Sequence, residues 1–181
     1  MPPFEGKRIA LRDFLIEDTQ SIYGWLRRPE ITRYLVTAFL PKTLRETETY
    51  VEEQMARNDP LNRAFVITLR ADASSIGVTG CHNIDWPNRA AEIGITIGEP
   101  EQLGKGYGTE AMELLLAFCF NELNLHRVFL RVFDFNGRAI ESYRKCGFKE
   151  EGRLREAFFR EGHYHDVLVM SLLEEEFRTR F

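Results

Sequence analysis

The chain has 181 residues, 44% of them apolar and 29% charged, with 14 Phe to fill a core and a formal net charge of −4. That length and balance argue for a single α/β domain over 1–181, and the acidic balance disfavours attachment to nucleic acid or to an anionic membrane. Three scattered cysteines, Cys81, Cys119 and Cys146, form no CxxC or Cys/His cluster, so free thiols in a reducing cytoplasm are expected rather than a disulfide framework or a metal site.

The N-terminal MPPFEGKRIA has no apolar core of a signal peptide. The longest unbroken apolar run, Leu114 to Phe120, falls well short of the ~20 residues a membrane helix needs. Lys7 to Asp13 alternates apolar and charged residues, as a half-buried strand does. Asp18 opens a helix with Ile22, Trp25 and Leu26 on one face. Pro29 ends it and suits the first turn of a short helix through Ile31 to Leu35. Thr43 to Glu46 has capping-box spacing, so a helix should follow to about Arg57. Ala64–Leu69, Ile76–His82 and Ala91–Ile97 read as strands, and Arg127–Asp134 as a strongly apolar one. Gly137 to Cys146 reads as a helix closed by Gly147 in a left-handed conformation. Arg153–Arg160 and His163–Leu173 form a last hairpin around Glu161-Gly162.

Between the third strand and the fourth lies QLGKGYGTEAMELLLAFCF, from Gln102 to Phe120. Strand, glycine loop, helix and strand make a βαβ crossover, which is right-handed. The glycines sit at a helix start, where free amides and the macrodipole favour an anion, most often a phosphate. Lacking Cβ atoms, Gly104, Gly106 and Gly108 let several N–H groups converge on it. GKGYG fails the GxGxxG dinucleotide spacing, and no GxxxxGK[ST] run exists. The apolar helix behind the loop, Met112 to Phe120, packs the core and fixes those amides.

Leu103 to Gly108 (LGKGYG) resembles the [RQ]-x-x-G-x-[GA] phosphate motif of the GCN5-related N-acetyltransferase superfamily, with Leu103 where Arg or Gln is usual. Asn136 to Phe148 (NGRAIESYRKCGF) looks like that family's N-x-x-A-x-x-x-Y-x-K-x-G-F, and it falls after the next strand as expected. The resemblance implies a mixed, mostly antiparallel sheet of about seven strands, with helices on both faces and a splayed parallel strand pair. It implies acetyl-coenzyme A as co-substrate, with no metal. The pyrophosphate would rest on Leu103, Gly104, Lys105, Gly106, Tyr107, Gly108 and Thr109. The pantetheine would pair with the backbone of Ile95, Thr96 and Ile97 and meet Asn136, Ala139 and Tyr143, with Lys145 near the phosphates. Arg138 and Arg144 are further phosphate-side candidates.

Attack of an amine on a thioester expels a thiolate, and the Tyr143 hydroxyl can donate to it. Glu92 is the first candidate base, with His82, Asp85 and His126 behind it. The N-terminal stretch and the last hairpin are similar to the branch holding ribosomal-protein N-terminal and spermidine N-acetyltransferases. The acceptor is then a small-molecule or peptide amine, bound between the first helices, roughly Ile22 to Leu40, and the last hairpin, by a homo-oligomer (dimer or larger). Glu30 there would suit a polyamine; Trp86, Phe158, Phe159 and Tyr164 either line that pocket or, the preferred reading, pack the core. A coenzyme-A-binding sensor or assembly module without catalysis is the alternative, and Tyr143 argues against it.

Overall fold

A computed structural model describes residues 4–36, 42–56 and 58–180. The end of the predicted acceptor segment (37–40) and the predicted helix end at Arg57 lie outside the described residues. In chain order the strands are β1 (Phe4–Glu5), β2 (Ile9–Arg12), β3 (Arg63–Leu69), β4 (Ser75–Asp85), β5 (Ala90–Ile97), β6 (Arg127–Phe133), β7 (Lys149–Arg160) and β8 (His163–Leu173). The helices are α1 (Asp18–Trp25), α2 (Pro29–Thr32), α3 (Leu44–Ala56), α4 (Tyr107–Ala117), α5 (Gly137–Lys145) and α6 (Glu174–Arg180). Among the described residues, eight strands form one sheet in the order β1-β2-β3-β4-β5-β6-β8-β7. The strand beyond the expected seven is β1, a two-residue pairing of Phe4 and Glu5 with Leu11 and Ala10.

Strand alternation places the helices. Phe65 and Ile67 of β3 enter one core with Ala111, Met112, Leu115 and Leu116 of α4, and Ile140 and Tyr143 of α5. Val66, between them, turns the other way, onto Phe14, Ile22, Trp25 and Val51 of the α1/α3 side. Helices therefore cover both faces, and each buried aliphatic side chain contributes about 1.5–3 kcal/mol. The local signals hold too. Thr43 Oγ1 accepts from the Glu46 amide at 3.2 Å while Glu46 accepts from the Thr43 amide at 2.7 Å. Gly147 has φ 98, and Glu161 and Gly162 turn the last hairpin with φ 52 and 84.

The parallel pair is what makes the site. β5 pairs with β6 only from Ala90 to Glu92, against Arg127 to Phe129. β5 nevertheless stays on β4 out to Ile97 opposite Gly77, and β6 stays on β8 out to Phe133 opposite Val167. The two strands thus diverge, leaving the β6-facing edge of residues 93–97 unpaired. The far end of β5 is pinned. Gly98 donates to the Ile76 carbonyl at 2.8 Å, and a Cβ on it would lie 2.1 Å from the Trp25 ring. Trp25 Nε1 in turn donates to Glu99 at 2.7 Å.

Asp18 ties α1 to the sheet. It is buried, and Arg12 forks onto it at 2.7 and 2.8 Å, with Ser75 Oγ at 2.7 Å and the Leu15 amide at 2.8 Å. Burial alone would raise its carboxyl, but the bonds from Arg12, Leu15 and Ser75 together hold it below the usual value. A depressed folded value gives stability that is present above the unfolded pKa and lost as pH falls through the folded one. Asp18→Asn is expected to cost about 1–3 kcal/mol at neutral pH. Urea melts should show this gap at pH 7, and it should narrow in acid.

Candidate functional site

The glycine loop folds as a cradle. Gly104 and Gly106 have φ 76 and 85, and a Cβ added at Gly104 would meet nothing within 4 Å. Gly106 is the N-cap of α4 and brings no side chain, while its carbonyl accepts from Glu110 at 3.1 Å. No acceptor among the described residues takes the amides of Gly104, Lys105 or Gly106, and the first-turn amides of α4 have no intrahelical partner. A rim of unpaired donors at the positive end of a helix fits an anion of pyrophosphate type.

Behind the loop stands Arg8, which the sequence reading had passed over. Its Nη1 donates to the Lys105 carbonyl at 2.8 Å and its Nε to Glu110 at 2.9 Å. Its guanidinium lies 4.7 Å from the Tyr107 ring centroid. The Arg8 amide also donates to Glu110, at 2.7 Å. One side chain thus fixes the loop, the start of α4 and the first strands together.

A cavity of about 850 Å³ runs from this cradle into the wedge between β5 and β6 and on toward the first helices and the last hairpin. Every residue expected to hold the coenzyme lines it except Lys105 and Arg144. The Lys105 ammonium instead folds back onto Gln102 Oε1 at 3.1 Å. Ile95, Thr96 and Ile97 present the unpaired edge of β5 on one wall. Asn136, Ala139, Tyr143 and Lys145 of the α5 segment stand on the other. Asn136 caps α5, accepting from the Ala139 amide at 3.3 Å. Ser142, also unforeseen, joins Thr109 across α5 and α4 at 2.9 Å. Arg138 lines the cavity, whereas Arg144 is engaged with Glu141 at 2.9 Å.

Tyr143 is 8% exposed and packs against Phe148. Burial, helped by nearby Cys146, pushes its phenol up to about 12, so the hydroxyl stays protonated across the physiological range. It is a hydrogen-bond donor at the cavity wall.

Glu92 lines the cavity but is not a free carboxylate: Arg131 of β6 grips both its oxygens at 2.8 Å. Nothing in local sequence pairs these residues, 39 positions apart. The brief parallel register of β5 and β6 brings them together. His82 faces Glu92 across β4 and β5, and its Nε2 would lie 3.8 Å from a Cβ on Gly94. Desolvation lowers this imidazole more than Glu92 raises it, which favours the neutral form near pH 7. Asp85 and His126 lie elsewhere, bonded to Asn88 and facing Glu174.

The acceptor end is lined by Glu30, Ile31, Tyr34, Phe133, Leu154 and Phe158 among others. Core packing was the preferred expectation for four aromatics and pocket lining the alternative: Phe158 lines the cavity, and the other three do neither. Trp86, Phe159 and Tyr164 are 45%, 58% and 65% exposed, because they sit on loops and the hairpin tip rather than on a covered face. Among the described residues no group of His, Cys, Asp and Glu is arranged to hold a metal, no helix is long and apolar enough to cross a membrane, and the three cysteines are buried free thiols.

Residues 8–149 match the family model described as an acetyltransferase (GNAT) domain. The chain is 37% identical over 123 residues to a spermidine N(1)-acetyltransferase of Vibrio cholerae, covering 68% of this chain and 70% of that protein. It is 38% identical over 176 residues to the putative ribosomal N-acetyltransferase YdaF of Bacillus subtilis, covering 97% and 90%. Among solved structures, spermidine N-acetyltransferase from Vibrio cholerae in complex with CoA and spermine superposes with a TM-score of 0.86 at 30% identity, covering 96% of this chain and 99% of that one.

Proposed function

This chain belongs to the GNAT acetyltransferase family, and we propose that it moves an acetyl group from acetyl-coenzyme A to a primary amine by direct attack on the thioester. The observation that carries this is the shared cavity, where an anion cradle, a free strand edge and a protonated Tyr143 converge. When bound, the coenzyme supplies an acetyl group activated as a thioester. Everything else falls to the chain. The amides from Gly104 to Thr109 hold the pyrophosphate. The open edge of β5 extends the sheet onto the pantetheine arm, and one of its amides polarises the acetyl carbonyl as an oxyanion-hole donor. Asn136 orients the arm, and the Tyr143 hydroxyl donates to the departing sulfur.

Two groups are placed to handle the amine's proton. Glu92, held by Arg131 through both oxygens, draws the ammonium in, and the amine's proton leaves to solvent there. His82, favoured in its neutral form and lying over Gly94, accepts a proton directly. Thiol release from acetyl-coenzyme A against a panel of amines tests the proposal. Tight coenzyme binding with no turnover on any amine would instead favour the sensor.

Arg8 positions the donor's cradle in this scheme. Arg8→Ala is expected to raise KM for acetyl-coenzyme A roughly tenfold, the value of one charge-assisted bond, with kcat within about twofold. Arg8→Lys should not restore it, since a flexible ammonium lacks the planar fork that holds Glu110 and the Lys105 carbonyl at fixed positions over the Tyr107 ring. Steady-state kinetics at saturating amine separate the two constants.

A further inference from the structure

The short helix α2 walls the amine end of the cavity. Glu30 and Ile31 of α2, and Tyr34 and Leu35 just after it, line that end. A helix of four residues does not hold itself in place, and Arg28 before it makes no side-chain cap bond. Its position therefore comes from tertiary anchors. Ile31 is buried, Tyr34 stacks on Phe135, and the Leu35 carbonyl accepts from Arg160 of β7 at 2.8 Å. At the front of α2 the anchor is Glu99. One of its oxygens accepts from Arg28 at 2.9 Å and the other from Trp25 Nε1 at 2.7 Å.

Glu99 is itself a fixed point. It follows Gly98, which is bonded to the Ile76 carbonyl of β4 and lies against the Trp25 ring. The Glu99 carbonyl accepts from the Gln102 amide at 3.0 Å, which closes the tight turn Pro100–Gln102 that leads into the cradle. One residue thus serves both ends of the cavity. Its backbone sets the approach to the coenzyme loop, and its carboxylate holds the helix at the amine end. Neither Glu99 nor Arg28 lines the cavity, so what they do for the reaction passes through the residues they hold. Arg28 also lies 3.9 Å from Glu101, too far for a hydrogen bond, and that carboxylate is 74% exposed.

We propose that Glu99 is a positioning residue for acetyl transfer: through Arg28 and Trp25 it fixes α2 as the wall of the amine site at a set distance from the coenzyme cradle. This inference rests on the acetyl-transfer function proposed above. Its physical basis is that attack on the thioester needs the amine nitrogen within about 3–3.5 Å of the carbonyl carbon, so a wall that drifts by an ångström is felt. The Arg28–Glu99 contact is a charge-assisted bond between side chains only 36% and 29% exposed, which makes it the firmer of the two Arg28 contacts.

Thiol release is measured with whichever of spermidine, phenethylamine and an Ala-Phe dipeptide the parent turns over fastest. Glu99→Gln keeps the shape and an oxygen for Trp25 Nε1 but loses the charge that Arg28 meets. It should raise KM for the amine about tenfold, the value of one charge-assisted bond, with kcat within about threefold and the Kd for coenzyme A within about twofold. Arg28→Met should do the same. The double variant should lose no more than the worse single one, because both act through one bond. Glu101→Gln should leave all three constants within about twofold. An unchanged amine KM in Glu99→Gln overturns the inference while sparing acetyl transfer, and so do losses that add in the double variant. Amine KM and coenzyme Kd rising together, in step with a falling melting temperature, overturn it as well, since Glu99 would then hold only the fold. Coenzyme binding by the parent without thiol release on any of the three amines overturns acetyl transfer and this inference together.

Discussion

Tyr143→Phe is expected to lower kcat roughly 100-fold or more while the Kd for acetyl-coenzyme A stays within about twofold. The hydroxyl is the only atom removed. The ring keeps its place against Phe148, so the melting temperature should hardly move, and a collapse of structure would not be mistaken for loss of chemistry. The physical basis is the proton. A phenol pushed up to about 12 by burial is protonated at every working pH, so it keeps a proton to donate to the sulfur in the proposed step. The same value means that any alkaline limb in the parent's rate below about pH 10 belongs to another group. Stopped-flow or steady-state thiol release alongside equilibrium coenzyme binding decides the matter. An unchanged kcat would leave Tyr143 as a core aromatic and nothing more.

The glycine loop and the α5 wall of the cavity were visible in the sequence because both are written in short, contiguous signals. Alternating glycines before a helix announce free amides, and Asn136 with Tyr143 share one α5 segment. The strands were equally visible where burial forces a two-residue period, as in Phe65-Val66-Ile67, whose neighbours face opposite cores. What stayed hidden depends on pairing across the sheet. Glu92 meets Arg131 only because β5 and β6 hold parallel register for three residues before diverging. Arg8 reaches Lys105 only because the start of β2 passes under the cradle. Likewise α6 escaped notice. Its seven residues, EEEFRTR, contain one apolar side chain, Phe177, so no periodicity exists. Acidic residues in its first turn and basic ones in its last complement the helix dipole, and Phe177 stacks on Phe120 at 4.8 Å to anchor it.

Gly106→Val is expected to weaken acetyl-coenzyme A binding about 100-fold or more, the value of roughly two lost bonds from amides to a charged group. Two effects add. Gly106 holds φ 85, a region that costs a residue with Cβ about 1–2 kcal/mol and a β-branched one more. A Cβ there would also lie 3.2 Å from Arg8 Nη2, and that guanidinium cannot easily withdraw, since Lys105 and Glu110 hold it. The loop must therefore shift, and its donors cease to converge. Two neighbours provide the scale. At Gly104, φ is 76 but the space is open, so Gly104→Ala should show strain alone and a smaller loss. At Gly108, inside α4, a Cβ would meet only Ile97 Cγ1 at an ordinary 3.7 Å, so Gly108→Ala should retain the fold and isolate any direct crowding of the ligand. Calorimetric titration of coenzyme A against all three, with melting curves alongside, separates a spoiled cradle from a destabilised chain. Normal affinity in Gly106→Val would remove the pyrophosphate from this loop. An affinity that falls only in step with the melting temperature would mean that the glycines serve the turn rather than the ligand.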